Sequence, residues 1–517
     1  MYKNWILFRE KYFHYFTVLI YVMVTIAGWF GISADTTTTK IRFDKISVEQ
    51  EITGWGTSGC WWAQKLGECE SAEEVTKLLF SEEGLGLNIY RYNIGGGSKD
   101  DPDERIWDAK NSSRAAESFL VWDEETQDWV YDWSKDAAAQ KILDMVLSYG
   151  CVDTVVMFAN SPHYSMCVSG NASGGLEEYQ SNLKKECYQD FVDYFLDITQ
   201  HFIDKGVPVK YISPINEPQW SWGSPEWVGQ EGCHYEIDEA VEVIRLFALA
   251  IKERGMDVKL SVLESGQVGD HAIECLEKLY ADEDIRDVLG TYAYHSYWTD
   301  RNFVLKDAFG KYIDKKFPAV EKEMSEWCEL PCSHTIDDIT AGLIMARTIG
   351  EDLSLSNVNS WSTWVAVNEG GVKADSMIAV EWWDYNNYQI SKRYYAMGHY
   401  SKFIPVGSHS VEVNVSVGDM TAEKTDEWND WIDNKAYQAY KIENYLTVSG
   451  YKTPDGKYVA VIINEGEDKK VSFNMMGWDA KIYTTDNERN LELTGESKGN
   501  KKITIGEKSI TTVVFEK

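Results

Sequence analysis

The sequence predicts an α/β chain built as a (β/α)8 TIM barrel with an all-β sandwich at its side. Three observations lead there. Short apolar strands alternate with amphipathic helices eight times over about 350 residues. Past Phe403 the helical texture gives way to alternating runs broken by Gly, Asp and Asn, such as Val411–Val417, Tyr458–Ile463, Val471–Asn474 and Thr511–Phe515. The predicted strand ends also carry charged and aromatic residues, as at the C-terminal mouth of such a barrel.

Residues 1–34 stand apart from the rest. Lys3, Arg9 and Lys11 precede an apolar run from Tyr15 to Ile32, closed by Gly31, Ser33 and Ala34. That order is a secretory signal, which makes the chain an expected extracellular protein. The run is about 18 residues, close to a bilayer span, so an uncleaved N-terminal anchor facing outside is the alternative. Residues 35–52 hold a short linker and a strand, Lys40–Ile52, expected to join the C-terminal β module.

The barrel is assigned to 53–402. Its strands are Thr53–Gly59, Leu87–Ile94, Val152–Ala159 and Val209–Ile215, then Lys259–Leu263, Thr291–His295, Ala319–Ser325 and Val358–Trp364. Ser71 with Glu74 three residues on reads as a capping box opening a helix through Phe80. Further helices are expected at Ser134–Tyr149, Glu186–Lys205, Ile237–Arg254 and Ile336–Ile349. A long Asp-rich loop precedes Ser134. Residues 403–517 are assigned to the β-sandwich.

The chain has 517 residues, 44% hydrophobic, enough for one large domain and a smaller one. Its formal charge of −33 argues against nucleic acid and against anionic membrane surfaces as partners. A membrane enters only if residues 1–34 are retained, and a monomer is expected. The nine cysteines, from Cys60 to Cys332, show no zinc-ligand spacing. Export would permit disulfides, with Cys60–Cys69 and Cys328–Cys332 the nearest neighbours in sequence. Asn111, Asn171 and Asn414 begin sequons. Gly95-Gly96-Gly97 lacks the Lys-Ser/Thr of a phosphate loop. No metal and no cofactor is expected.

The strand tips, read in order, are Gly54-Trp55-Gly56, Arg91 with Asn93, Asn160-Ser161-Pro162, Asn216-Glu217, Glu264, His295 with Tyr297, Glu326-Trp327 and Trp364. Two carboxyls, one protonated and one ionised, suit the cleavage of a glycosidic bond. Glu217, in S-P-I-N-E-P-Q, is the expected acid/base, with Asn216 expected to donate to a sugar 2-hydroxyl. Glu326, in S-E-W, is the expected nucleophile, because strands four and seven face each other across a barrel mouth. Arg91 would keep it ionised, Tyr297 would orient it, and His295 would order the neighbouring charges. Glu264 is the main rival carboxylate and Glu323 a weaker one. Trp55, Trp220, Trp222, Trp327 and Trp364, with Trp61 and Trp62, are candidate sugar platforms, core packing being the alternative for each.

G-W-G-T-S-G-C-W-W-A at 54–63, R-Y-N-I-G-G-G at 91–97, N-S-P at 160–162, S-P-I-N-E-P-Q at 213–219 and S-E-W at 325–327 together resemble glycoside hydrolase family 30. The resemblance covers nearly all of the chain after residue 34. It implies a retaining barrel glycosidase with Glu217 as acid/base and Glu326 as nucleophile, and Arg91, Asn216, His295 and Tyr297 as the supporting set. Within the family, the 54–63 start and the N-S-P-H-Y-S-M stretch are most similar to endo-β-1,6-galactanases, which act on galactan side chains of arabinogalactan. Asn160 stands where many members carry Trp. The same mechanism on β-1,6-glucan or xylan remains an alternative, as does a non-catalytic carbohydrate-binding surface protein.

Overall fold

A computed structural model describes residues 38–45, 49–100, 104–106, 108, 110–300, 302–416, 421–424, 440–443 and 446–517. The proposed signal or anchor at 1–34 lies outside the described residues. Among these, no helix is long and apolar enough to cross a membrane.

Eight parallel strands close into a barrel: β1 Gly54–Ser58, β2 Ile89–Asn93, β3 Thr154–Phe158, β4 Val209–Ser213, β5 Lys259–Ser265, β6 Leu289–His295, β7 Glu321–Glu326 and β8 Ser360–Val365. Closure is made by β8 on β1, with Ser360 opposite Gly54 and Trp361 opposite Trp55. The near-continuous apolar run of β3 follows from burial on both faces, since helices cover the outside of a parallel sheet. The helix Tyr188–Asp204 turns Phe191, Phe195 and Phe202 inward, and the first two meet Phe247 of the next helix edge to face at 5.5 Å.

Several elements differ from expectation, each for a tertiary reason. Ser71 does not cap its helix. Its hydroxyl donates to the Tyr385 carbonyl at 2.9 Å, and Glu74 accepts from the Tyr388 hydroxyl at 3.1 Å. The partners belong to Asp384–Ile390, part of a small sheet with Val367–Glu369 and Ile378–Glu381 after β8. The Asp-rich loop contains a hairpin, Leu120–Asp123 with Asp128–Tyr131, whose cross-strand Trp122 and Trp129 pack at 5.4 Å. The strand expected over Lys40–Ile52 is two strands, Thr38–Phe43 and Glu51–Ile52, in different sheets. All nine cysteines are free thiols, so neither sequence-neighbour pair is bridged.

The C-terminal strands form a seven-stranded sheet, joined by Glu51–Ile52, and a four-stranded sheet, joined by Thr38–Phe43. Both N-terminal strands therefore tie the start of the chain to this layer. The central strand Tyr458–Asn464 is buried along its whole length because its alternation serves two cores. Ala460 and Ile462 face Ile41, Val471 and Phe515 of the sandwich, whereas Val459, Val461 and Ile463 join the barrel's apolar cluster. His399, on the last barrel helix (Lys392–Ser401), bridges the same contact. Its ring nitrogens lie 2.8 Å from the Thr512 hydroxyl and 2.9 Å from that of Thr485.

Burial pushes His399 down to about 3, so it is neutral in the folded protein and would take up a proton on unfolding below its ordinary value. Its stabilising contribution is complete above about pH 6.5 and lost as pH falls toward 3. Thermal unfolding of the wild type and of His399→Gln should therefore converge on acidification. The advantage of wild type at pH 7 should shrink by about 1.4 kcal/mol per pH unit below 6.5. A difference independent of pH between 7 and 4.5 would contradict the neutral, bridging role.

Candidate functional site

The C-terminal ends of β2, β4, β5, β6 and β7 converge on one buried cluster of charge. Arg91, from β2, sits over the Phe158 ring, its guanidinium carbon 4.0 Å from the ring centre, and is fully buried. Its guanidinium donates to Glu264 at 3.1 Å, to Glu326 at 3.2 Å and to the Ser325 carbonyl at 3.3 Å. His295, at the end of β6, donates from Nδ1 to Glu217 at 2.9 Å and from Nε2 to Glu264 at 3.0 Å, with Glu326 3.6 Å from Nε2. The Tyr297 hydroxyl donates to the other oxygen of Glu326 at 3.0 Å.

Glu217 and Glu326 face each other across this cluster. One carboxylate oxygen of each, and a nitrogen of His295, all lie within 4.8 Å of one another. Both ring nitrogens of His295 already point at carboxylates, which makes the ring a hydrogen-bond donor rather than a lone-pair ligand for a metal ion. The backbone is shaped for this approach. Glu217 and Glu264 both have left-handed φ, +45° and +56°, a strained state for residues with a side chain. The Glu217 amide donates to the Glu264 carbonyl at 3.0 Å, locking one tip to the next.

The charges are set by their neighbours. Burial would raise Glu264, but Arg91 and His295 outweigh it and hold the carboxyl near 2. Ser213 adds a hydrogen bond at 2.7 Å and Ser325 adds another, so Glu264 accepts from four side chains and has no face left for substrate. Burial would lower His295, but Glu326, Glu217 and Glu264 push it up to about 10, so the ring is an imidazolium. Glu326 is pushed up to about 7: burial and the Glu217 charge raise it, against His295 and Arg91. Glu323, deeper in the barrel beside Ser261 and Thr291, is raised to about 7 by burial and by Glu264.

Of the residues expected at the mouth, the structure brings Arg91, Asn216, Glu217, His295, Tyr297 and Glu326 together. Asn160 joins through Asn216, whose amide donates to it at 3.3 Å, while Asn160 donates to Asn93 at 3.2 Å. The Asn216 side-chain Oδ1 is buried with no hydrogen-bond partner among the described residues. The tryptophans divide. Trp220 and Trp222 are partly exposed, and the Trp222 indole N–H donates to the Glu217 carbonyl at 2.9 Å while its ring covers Gly232. Trp364 packs against Trp61 and Phe158 and is nearly buried. Trp55 is not at the mouth: it sits near the start of β1, its indole donating to the Ile404 carbonyl at 2.8 Å and its ring 5.8 Å from Tyr400. Trp327 is wholly buried against Trp361, and Trp62 is buried with its indole on the Ser58 carbonyl at 2.8 Å. These three are core residues.

Sequence reasoning missed Glu231. Buried on the loop after β4, it accepts from the Gly96 amide at 2.9 Å, the Ser98 amide at 3.1 Å and the Ser98 hydroxyl at 2.6 Å, fixing the glycine turn that follows β2. Nothing in G-Q-E-G-C signals that role. Gly266 was missed too. A Cβ there would lie 2.7 Å from Glu217 Oε1, so only glycine leaves that carboxyl its place.

The family model for O-glycosyl hydrolase family 30 matches residues 38–377. Among curated relatives, the chain is similar to an endo-β-1,6-galactanase of Hypocrea rufa, 30% identical over 241 residues, 43% of this chain and 48% of that one. It is also similar to an exo-β-1,6-galactobiohydrolase of Bifidobacterium longum subsp. longum, 26% identical over 328 residues, 50% of this chain and 21% of that one. The chain therefore spans about half the length of the first relative and about a fifth of the second. Among solved structures, a conserved exported protein from Bacteroides fragilis superposes with a TM-score of 0.74 at 26% identity, covering 92% of this chain and 99% of that one. The catalytic domain of GH30 xylanase C from Talaromyces cellulolyticus superposes with a TM-score of 0.67 at 16% identity, over 92% and 100%, a likeness of fold alone. With more than half of its length matched by the family model, the chain belongs to O-glycosyl hydrolase family 30.

Proposed function

We propose that the protein is a secreted, retaining endo-glycosidase that hydrolyses β-1,6-linked galactan by double displacement. The observation that carries the chemistry is the approach of Glu217 and Glu326 oxygens to within 4.8 Å. Carboxyls about 5–5.5 Å apart can bridge one anomeric carbon, whereas an inverting pair needs about 6.5–9.5 Å to admit water. Glu326, held by Arg91 and Tyr297, attacks the anomeric carbon. Glu217 protonates the departing glycosidic oxygen, then takes a proton from the water that releases the glycosyl-enzyme. Asn216, its carbonyl oxygen unpartnered, accepts from the sugar 2-hydroxyl. The β-1,6-galactan assignment draws on two curated relatives whose names share that linkage, and on the N-S-P-H-Y-S-M stretch. Internal cleavage is supported by several aromatic rings along one rim, with Trp220, Trp222 and the exposed Trp227 on the loop after β4.

The roles of the two glutamates separate in one experiment. Glu217→Ala and Glu326→Ala should each fold and each lose at least about 10³-fold in kcat on polymer. With an activated aryl β-galactoside and azide, Glu217→Ala should yield the β-glycosyl azide and Glu326→Ala the α-azide. Exchanged anomers would reverse the assignment, and near-normal turnover in either variant would remove it. On arabinogalactan stripped of arabinose, the wild type should release a ladder of β-1,6-galacto-oligosaccharides. Cleavage confined to β-1,6-glucan or xylan would overturn the substrate, and release of galactobiose alone would overturn the endo mode.

The raised Glu326 carboxyl sets the acid limb of the pH profile, because the nucleophile must be ionised to attack. Activity should rise as pH climbs through about 7, where Glu326 loses its proton. His295⁺ lowers Glu326, so His295→Gln should move that limb upward by at least about one unit while lowering kcat. A limb that stays in place would mean that His295 does not govern Glu326.

A further inference from the structure

Beside Glu217, on the side toward β5, the structure holds an amide with nothing to bond. Among the described residues, both the Oε1 and Nε2 atoms of Gln219 are shielded from solvent and have no hydrogen-bond partner, and the same is true of Gln267 Oε1. Buried polar groups are satisfied in the large majority of cases, and leaving one unmade is costly. A whole carboxamide unpaired at both ends, at the rim of a reacting centre, is a donor and an acceptor awaiting a ligand. Its place is defined by Gly266. A Cβ on that residue would stand 2.5 Å from Trp220 Nε1, 2.7 Å from Glu217 Oε1 and 2.8 Å from Gln219 Nε2. An indole N–H, the acid/base oxygen and the free amide therefore converge on one small gap that only glycine keeps open.

Glu217 divides the mouth. On its β3 side, Asn216 and Asn160 form the amide pair next to the sugar that Glu326 attacks. On its β5 side lie Gln219, Trp220 and Gln267. The oxygen that Glu217 protonates belongs to the departing sugar, so groups flanking that carboxyl away from Asn216 meet the leaving group. We propose that Gln219, assisted by Gln267, is a specificity-determining residue for the leaving sugar, its amide donating to one ring hydroxyl and accepting from a neighbouring one. A vicinal diol fits a carboxamide because one face presents a donor and an acceptor about a hydroxyl spacing apart. This inference rests on the glycosidase reading of Glu217.

The test compares two substrates with the same glycone: an aryl β-galactoside, which has no leaving sugar, and a β-1,6-galacto-oligosaccharide. In Gln219→Leu, the ratio of kcat/KM for oligosaccharide over aryl glycoside should fall by about tenfold to a hundredfold. The concentration of added galactose needed to divert the glycosyl-enzyme into transfer product should rise in parallel. Gln267→Leu should change both readouts in the same direction but less. Equal losses on both substrates would mark Gln219 as a structural residue, and no loss on either would mean that water satisfies it; either result overturns the proposal. Thermal unfolding of each variant identifies a failure to fold, in which case Gln219→Glu, which keeps shape and removes the donor, carries the same comparison. A wild type inactive on every glycoside would refute the glycosidase reading. An active wild type, on galactan or on another polymer, whose ratio does not move in the variant would refute the leaving-sugar subsite alone.

Discussion

Two buried cations among four buried carboxyls hold this site together. Arg91 and His295 are both inaccessible to water, as are Glu264 and Glu323, while Glu217 and Glu326 are nearly so. Charges removed from water persist only when paired and hydrogen-bonded. Facing carboxylates within 4.8 Å repel by on the order of 3 kcal/mol at an effective dielectric near 20. Each cation, at about hydrogen-bond distance from two of them, returns a comparable attraction per contact. Neither half of the cluster can therefore be built alone: without the cations the glutamates would not stay charged, and without the glutamates an imidazolium would not survive burial.

Glu264 is the hinge of that arrangement. It takes Arg91 on one side, His295 on the other and two serine hydroxyls besides. The cations, once fixed on Glu264, reach outward to Glu326 and Glu217. The carboxyl that looked like a catalytic rival in the sequence is thus the support on which Glu217 and Glu326 are oriented. The barrel makes this possible because five strand ends, distant in sequence, open onto one mouth of a closed sheet. Left-handed backbone at both Glu217 and Glu264, with an amide bond between the two tips, is the local cost of aiming their side chains into one gap.

What was legible in the sequence divides along the same line. Strand-tip chemistry could be read because each tip is a short, punctuated segment: S-P-I-N-E-P for Glu217, S-E-W for Glu326, R-Y-N for Arg91. The barrel could be read because its apolar strands and amphipathic helices alternate with regular spacing. What escaped depended on partners far away in the chain. Ser71 satisfied the local rule for a cap and was taken instead by Tyr385, more than three hundred residues on. Trp55 shares a motif with the mouth, yet it sits near the foot of β1, where its indole donates to the Ile404 carbonyl in the chain after the last barrel helix. Glu231 and Gly266 act through what they touch and carry no pattern of their own.

The donor geometry also distinguishes the two facing carboxyls. Every N–H or O–H aimed at a carboxylate oxygen stabilises its ionised form. Glu326 receives Arg91 on one oxygen and Tyr297 on the other, so both of its oxygens are occupied by donors. Among the described residues, the Glu217 carboxyl receives only His295, on Oε1, and that oxygen looks out toward Gly266 and the free amide of Gln219. The proposed roles match that asymmetry: the carboxyl with donors on both oxygens is the one proposed to attack the anomeric carbon, and the one that faces Gly266 stands where the glycosidic oxygen would leave. The asymmetry is set by one tyrosine and one arginine rather than by any difference between the glutamates themselves.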